Sequence, residues 1–151
     1  LSNEKIQQTI QLNTTTPLVL INEFIRLTKD LTCKKQIINI SSGAAMSPYS
    51  GWSVYCTSKA AIDMTTKTTA LEQSEIENGV KCVAIYPGVV DTNMQTAIRK
   101  TTETEFKNVQ RFKELKENDE LYTPEFVANR IYQIDISNAL KNGDIIDIRK
   151  F

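Results

Sequence analysis

SGAAMSPYSGWSVYCTSK, residues Ser42 to Lys59, is the stretch that decides the fold. Tyr55 and Lys59 lie four residues apart in a segment that continues as a good helix former through Ala60, Ala61, Ile62 and Met64. Residues at i and i+4 share a helix face, so phenol and ammonium converge on one point. An ammonium beside a phenol favours phenolate, which lowers the tyrosine pKa toward neutrality and makes it a usable general acid/base. Ser42 stands thirteen residues before Tyr55, just past the apolar run Gln36-Ile37-Ile38-Asn39-Ile40. A lone Tyr-x-x-x-Lys is more often a solvated helix face than a reactive pair. Its surroundings have to decide.

Working outward, Ile37–Ile40 reads as a strand buried on both faces, as in a parallel sheet. Residues 43–52 form a loop and 53–76 a long helix, ended by Asn78-Gly79, which tolerate left-handed backbone. Val80 to Tyr86 is the next buried strand and runs into Pro87-Gly88. Strand, helix and strand at this spacing make a crossover unit of a doubly wound parallel α/β sheet. Upstream, residues 3–29 are helical, with Pro17 predicting a kink that frees the Asn13 carbonyl. Downstream, residues 92–118 are polar and helical without a strong apolar face, which predicts an exposed helix pair. Thr123-Pro124 opens a helix bearing Val127, Ile131 and Ile134. After a turn at Asn142-Gly143, residues 144–149 form a last strand.

The chain has 151 residues, enough for one domain. Lys plus Arg balance Asp plus Glu at 18 each, so nothing favours nucleic acid or an anionic membrane. With no histidine, serine-hydrolase triads and most zinc sites are excluded, and no metal site is expected. Cys33, Cys56 and Cys82 are odd in number and widely spaced, which suits a reduced, cytoplasmic setting. No stretch has the apolar length of a membrane span.

The order of strand, Ser41-Ser42, glycine-containing loop, Tyr55-Cys-Thr-Ser-Lys59, second strand and Tyr86-Pro-Gly-Val-Val-Asp-Thr92 resembles the short-chain dehydrogenase/reductase family. The likeness runs over nearly the whole chain, and its Ser-x12-Tyr-x3-Lys spacing is highly specific. It implies a Rossmann-type fold and hydride transfer between a nicotinamide cofactor, NADPH or NADH, and a small-molecule carbonyl. Ser42 would hydrogen-bond the substrate oxygen and Tyr55 deliver the proton. Lys59 would depress the Tyr55 pKa and hold the nicotinamide ribose, and Asn13 would position a water feeding Lys59. Pro87 and Gly88 would let backbone approach the nicotinamide, with Val90 main-chain atoms and the Thr92 hydroxyl at its carboxamide or pyrophosphate. The resemblance also implies a mobile lid over residues 92–118 and a homodimer or homotetramer through helices 3–29 and 53–76.

Within the family, Asp91-Thr-Asn-Met-Gln95 and the ending Gly143-Asp-Ile-Ile-Asp-Ile-Arg149 look similar to bacterial benzil reductases and sepiapterin reductases. Those are NADPH-dependent reducers of aromatic or dicarbonyl compounds. Met46, Tyr49, Trp52 and Met94 suit an apolar pocket for such substrates, and core packing accounts for the same residues. The family's glycine-rich phosphate turn has no counterpart here, so residues 1–151 read as the catalytic C-terminal portion of such a domain. That portion alone is expected neither to hold dinucleotide tightly nor to catalyse. A non-catalytic dimerising remnant is one alternative, and a sugar-nucleotide epimerase or dehydratase, which shares Tyr-x-x-x-Lys, is another.

Overall fold

A central strand with two flanking layers organises the molecule, and a computed structural model describes it from Leu1 to Phe151. Three strands, β1 (Gln36–Ile40), β2 (Lys81–Tyr86) and β3 (Ile145–Asp147), form a parallel sheet in the order β1-β2-β3. Ile38 lies beside Val83 and Ile40 beside Ile85, while Ile85 lies beside Ile146 on the other edge. Cys82, Val83, Ala84 and Ile85 are fully enclosed. Alternation along β2 sends Val83 and Ile85 to one face. There they pack with Val127 and Ile134 of α6 (Pro124–Ile136) and with Leu140 and Ile148. Cys82, Ala84 and Tyr86 face α3 (Ser53–Ser74), where the Tyr86 hydroxyl donates to Asp63. Thr66, enclosed on α3, accepts from the Asn39 amide at 2.9 Å, so a polar pair crosses this interface with its bonds satisfied.

The strand β1 is half-buried rather than buried on both faces, and Ile40 is 48% exposed. Position explains the difference from expectation: β1 is an edge, with a strand partner on one side alone.

The N-terminal helix does not break at Pro17. It runs as α1 (Asn3–Ile10), a π turn over Gln11–Thr15, and α2 (Thr16–Thr28). Proline has no N–H for the carbonyl four residues back. The chain responds by widening, and both the N–H and hydroxyl of Thr16 donate to the Gln11 carbonyl, five residues back. Such π turns are inserted residues that redirect side chains. Asn13 lies within this turn.

Residues 92–118 depart further from expectation. α4 (Asn93–Arg99) and α5 (Val109–Glu117) carry Ile98, Val109 and Phe112 into a second enclosed cluster completed by Phe106. Trp52 stacks flat on Phe106 with ring centroids 4.6 Å apart. Each element supplies only one or two apolar residues, so no window shows a helical stripe. The last strand is shorter than residues 144–149, because Ile148–Lys150 turn into a 3-10 helix capped by Asp147. No helix is long and apolar enough to cross a membrane.

Candidate active site

The carboxyl end of β1 and the first turns of α3 bring three side chains to one place. Ser42 has extended backbone, and its Oγ accepts from Ala44 N at 3.1 Å, which opens the turn Gly43–Ala45. Ser42 and the Tyr55 phenol line the same cavity. On α3, Tyr55, Lys59 and Asp63 follow at four-residue steps along one face. Lys59 Nζ lies 5.8 Å from the Tyr55 ring centre and donates to the Ile40 carbonyl at 2.9 Å, tying α3 to the tip of β1. Asn13, in the π turn, donates to Ser58 Oγ at 3.3 Å, and Ser58 donates to the Tyr55 carbonyl at 2.8 Å. Ser41 stands apart, buried, its hydroxyl donating to the Lys59 carbonyl at 3.4 Å.

The electrostatics differ from the sequence expectation. Tyr55 is held above its ordinary pKa, chiefly because burial penalises phenolate; the Ser42 hydroxyl pulls it partway down. Lys59 is held below its ordinary value by burial, with the Asp63 carboxylate opposing. The ammonium is committed to the Ile40 carbonyl and lies over the ring, so desolvation outweighs its pull on the phenol. Burial therefore favours the neutral phenol of Tyr55 over its phenolate.

Ser42 and Tyr55 open onto a cavity of about 260 Å³. Tyr49, Trp52 and Met94 share its lining with Pro87, Gly88, Val90 and Thr92. Met46 does not: it is 73% exposed and turned to the opposite side of the Gly43–Ala45 turn, against Ser47 and Lys67. That overturns its assignment to the pocket. The 3-10 turn advances about 120° per residue, which carries Ala44 inward and Met46 out.

Whether a nicotinamide fits is testable on the backbone of Val90. Tyr122 N–H donates to the Val89 carbonyl, and Asp91 N–H donates to the Tyr122 carbonyl, both at 2.9 Å, in a parallel bridge. That geometry turns Val90's own N–H and C=O the other way, and neither has a partner within the chain. A paired donor and acceptor on a cavity wall is what a carboxamide needs. The Thr92 hydroxyl sits at the N-cap of α4 without capping it, and remains available. The residues present fit the group.

Other cavity residues escaped the sequence. Gln95 on α4, Phe112 and Arg111 on α5, and Arg149 after β3 all reach the lining. Tyr86 lines it too, held protonated by burial and by its bond to Asp63. These lie 44 to 107 residues away from Ser42, and no local pattern announces them.

A parallel sheet with a polar site at the carboxyl ends of its strands, where a dinucleotide end-group fits, defines a Rossmann-type α/β protein. The chain belongs to the short-chain dehydrogenase family, whose model matches residues 1–103. Among curated relatives it is 42% identical over 146 residues to a benzil reductase ((S)-benzoin forming) of Bacillus cereus, covering 97% of this chain and 59% of the relative. It is 29% identical over 146 residues to a sepiapterin reductase of Xenopus laevis, covering 95% and 53% respectively. The crystal structure of the KRED1-Pglu enzyme superposes with a TM-score of 0.80 at 25% identity, over 97% of this chain and 60% of that one. The chain thus spans 53–60% of the length of these relatives.

Proposed function

We propose that the protein reduces a ketone or a dicarbonyl compound of the benzil or sepiapterin kind, with NADPH as its cofactor and NADH as a second candidate. The observation that carries this reading is the Ser42–Tyr55 hydroxyl pair in one cavity with the unpartnered main-chain groups of Val90. A nicotinamide, when bound, supplies the hydride. Val90 and Thr92 are suited to hold its carboxamide, and Lys59 to hold its ribose.

The chain's own part is to hold and move a proton. Ser42 donates to the substrate oxygen, and Tyr55, kept neutral by burial, gives its proton to that oxygen as negative charge develops there. Lys59 then stabilises the phenolate that Tyr55 has become, an effect felt after transfer and not before. Asn13 fixes this part of α3 through Ser58, and a water held at its carbonyl would reload the lysine.

The benzil reductase relative and the aromatic lining, Tyr49 and Trp52 at 5.4 Å between ring centres, support aromatic carbonyl substrates. The test is an assay of the protein, expressed from its own coding sequence, with NADPH and NADH against benzil, sepiapterin and simple diketones. NADPH consumption with benzil is the expected result. No turnover of any dicarbonyl with either cofactor would overturn the reading.

The same proposal includes a homodimer or homotetramer through α1–α2 and α3 and, with three free cysteines, a cytoplasmic setting. Leu20, Leu27, Met64 and Leu71, each more than 60% exposed on α2 and α3, support the pairing. Sedimentation velocity is expected to show at least two copies. A single-copy mass at micromolar concentration would refute it.

A further inference from the structure

Gln95 is the least explained residue of the cavity. It lies on α4, is 7% exposed, and makes no hydrogen bond with either end of its amide. Its Oε1 is enclosed and unsatisfied, a costly state for a buried polar group. Gln95 lines the cavity, and with Oε1 enclosed the N–H₂ is the amide end left for a ligand. One helical turn on, Arg99 Nη1 is likewise buried without a partner.

Resting on the carbonyl-reductase reading above, we propose that Gln95 is a specificity-determining residue whose Nε2 donates to a second oxygen carried beside the reacting carbonyl. Ser42 and Tyr55 serve the oxygen that is reduced. The remaining oxygen of a 1,2-dicarbonyl then needs its own donor. Leaving it bare among Trp52, Met94 and Phe112 would forfeit the hydrogen bonds it has in water. A cavity of about 260 Å³ keeps every bound atom close to some wall, and α4 contributes the polar part of one wall through Gln95. A site built to bond a substrate's polar group discriminates strongly against an analogue that lacks it.

The test compares benzil with deoxybenzoin, the same skeleton with one carbonyl, read as a substrate or as a competitive inhibitor. In Gln95→Met, which keeps length and removes both amide groups, the preference for benzil over deoxybenzoin should fall about tenfold. Gln95→Glu, of the same size but with no donor when ionised, should lower it as far, and carries the comparison if Gln95→Met does not fold. NADPH affinity by fluorescence titration should move less than about twofold in both variants, well below the tenfold change in preference. An unchanged preference, or a loss shared equally by both compounds, would overturn the assignment, and so would a matching loss of NADPH affinity. A parent protein that turns over neither benzil nor any other dicarbonyl would instead remove the carbonyl-reductase reading, and this proposal with it.

Discussion

Replacing Tyr55 by Phe is expected to lower carbonyl reduction by about 10³-fold while leaving NADPH binding nearly unchanged. In the proposed reaction the phenol oxygen shares a proton with the substrate, and general acid catalysis of this kind contributes roughly 10²–10⁴. Phenylalanine keeps the ring and its edge-on contact with Trp52, 5.3 Å between centres, so the cavity wall stays in place. The pH profile supplies a second readout. Burial holds the Tyr55 pKa above its usual value, so the donor stays protonated through neutral pH. Reduction should stay level there and decline only at alkaline pH beyond the ordinary phenol range, as the phenol loses its proton. Alcohol oxidation needs the phenolate as base, and should rise with pH over the same range. Steady-state kinetics in both directions reads this directly. A Tyr55→Phe protein keeping more than about a tenth of the rate, far above the 10²–10⁴ loss expected of a missing acid, would exclude the phenol as the proton donor.

Gly88→Ala should destabilise the protein by about 2–4 kcal/mol and weaken cofactor binding together. Gly88 has φ +75, which an L side chain adopts only under strain. A Cβ there would also lie 2.8 Å and 3.0 Å from two carbons of the Tyr122 ring. Strain of about 1–3 kcal/mol and a comparable overpacking cost combine, a sizeable share of the roughly 5–15 kcal/mol that holds a domain folded. The functional consequence comes through the backbone. Tyr122 pairs with Val89 and Asp91, so a displaced ring disturbs the bridge that aims Val90 into the cavity. Urea denaturation and NADPH titration of the same variant test both halves. In a double-mutant cycle with Tyr122→Ala, coupling near zero would show that the ring is not the obstacle.

The two variants probe different kinds of information. Tyr55 and Lys59 were legible because i and i+4 on a helix is a local relation, set by geometry within one element. β2 was legible for a similar reason, as five consecutive apolar or small residues lead into Pro87-Gly88. Gly88, by contrast, is marked in the sequence as a turn residue, but the ring it must clear lies 34 positions further on, at Tyr122.

Residues 92–118 show the same limit in packing. Ile98, Phe106 and Phe112 each look like an isolated apolar residue in a charged segment. They form one cluster with Val109, against which Trp52, from the start of α3, packs. Met46 failed in the opposite sense: it is apolar and four residues past Ser42, yet the Gly43–Ala45 turn points it to solvent.

By itself the sequence determined the parallel α/β class, the helix that carries Tyr55 and Lys59, and the serine at the tip of β1. All three follow from hydrophobic period and short-range spacing. Only the tertiary structure decided the burial of the Tyr55 phenol, the open main-chain groups of Val90 and the buried amide of Gln95. Each depends on how much water and which distant groups surround an atom. Desolvation and long-range contact are properties of the folded chain, and no local window of residues contains them.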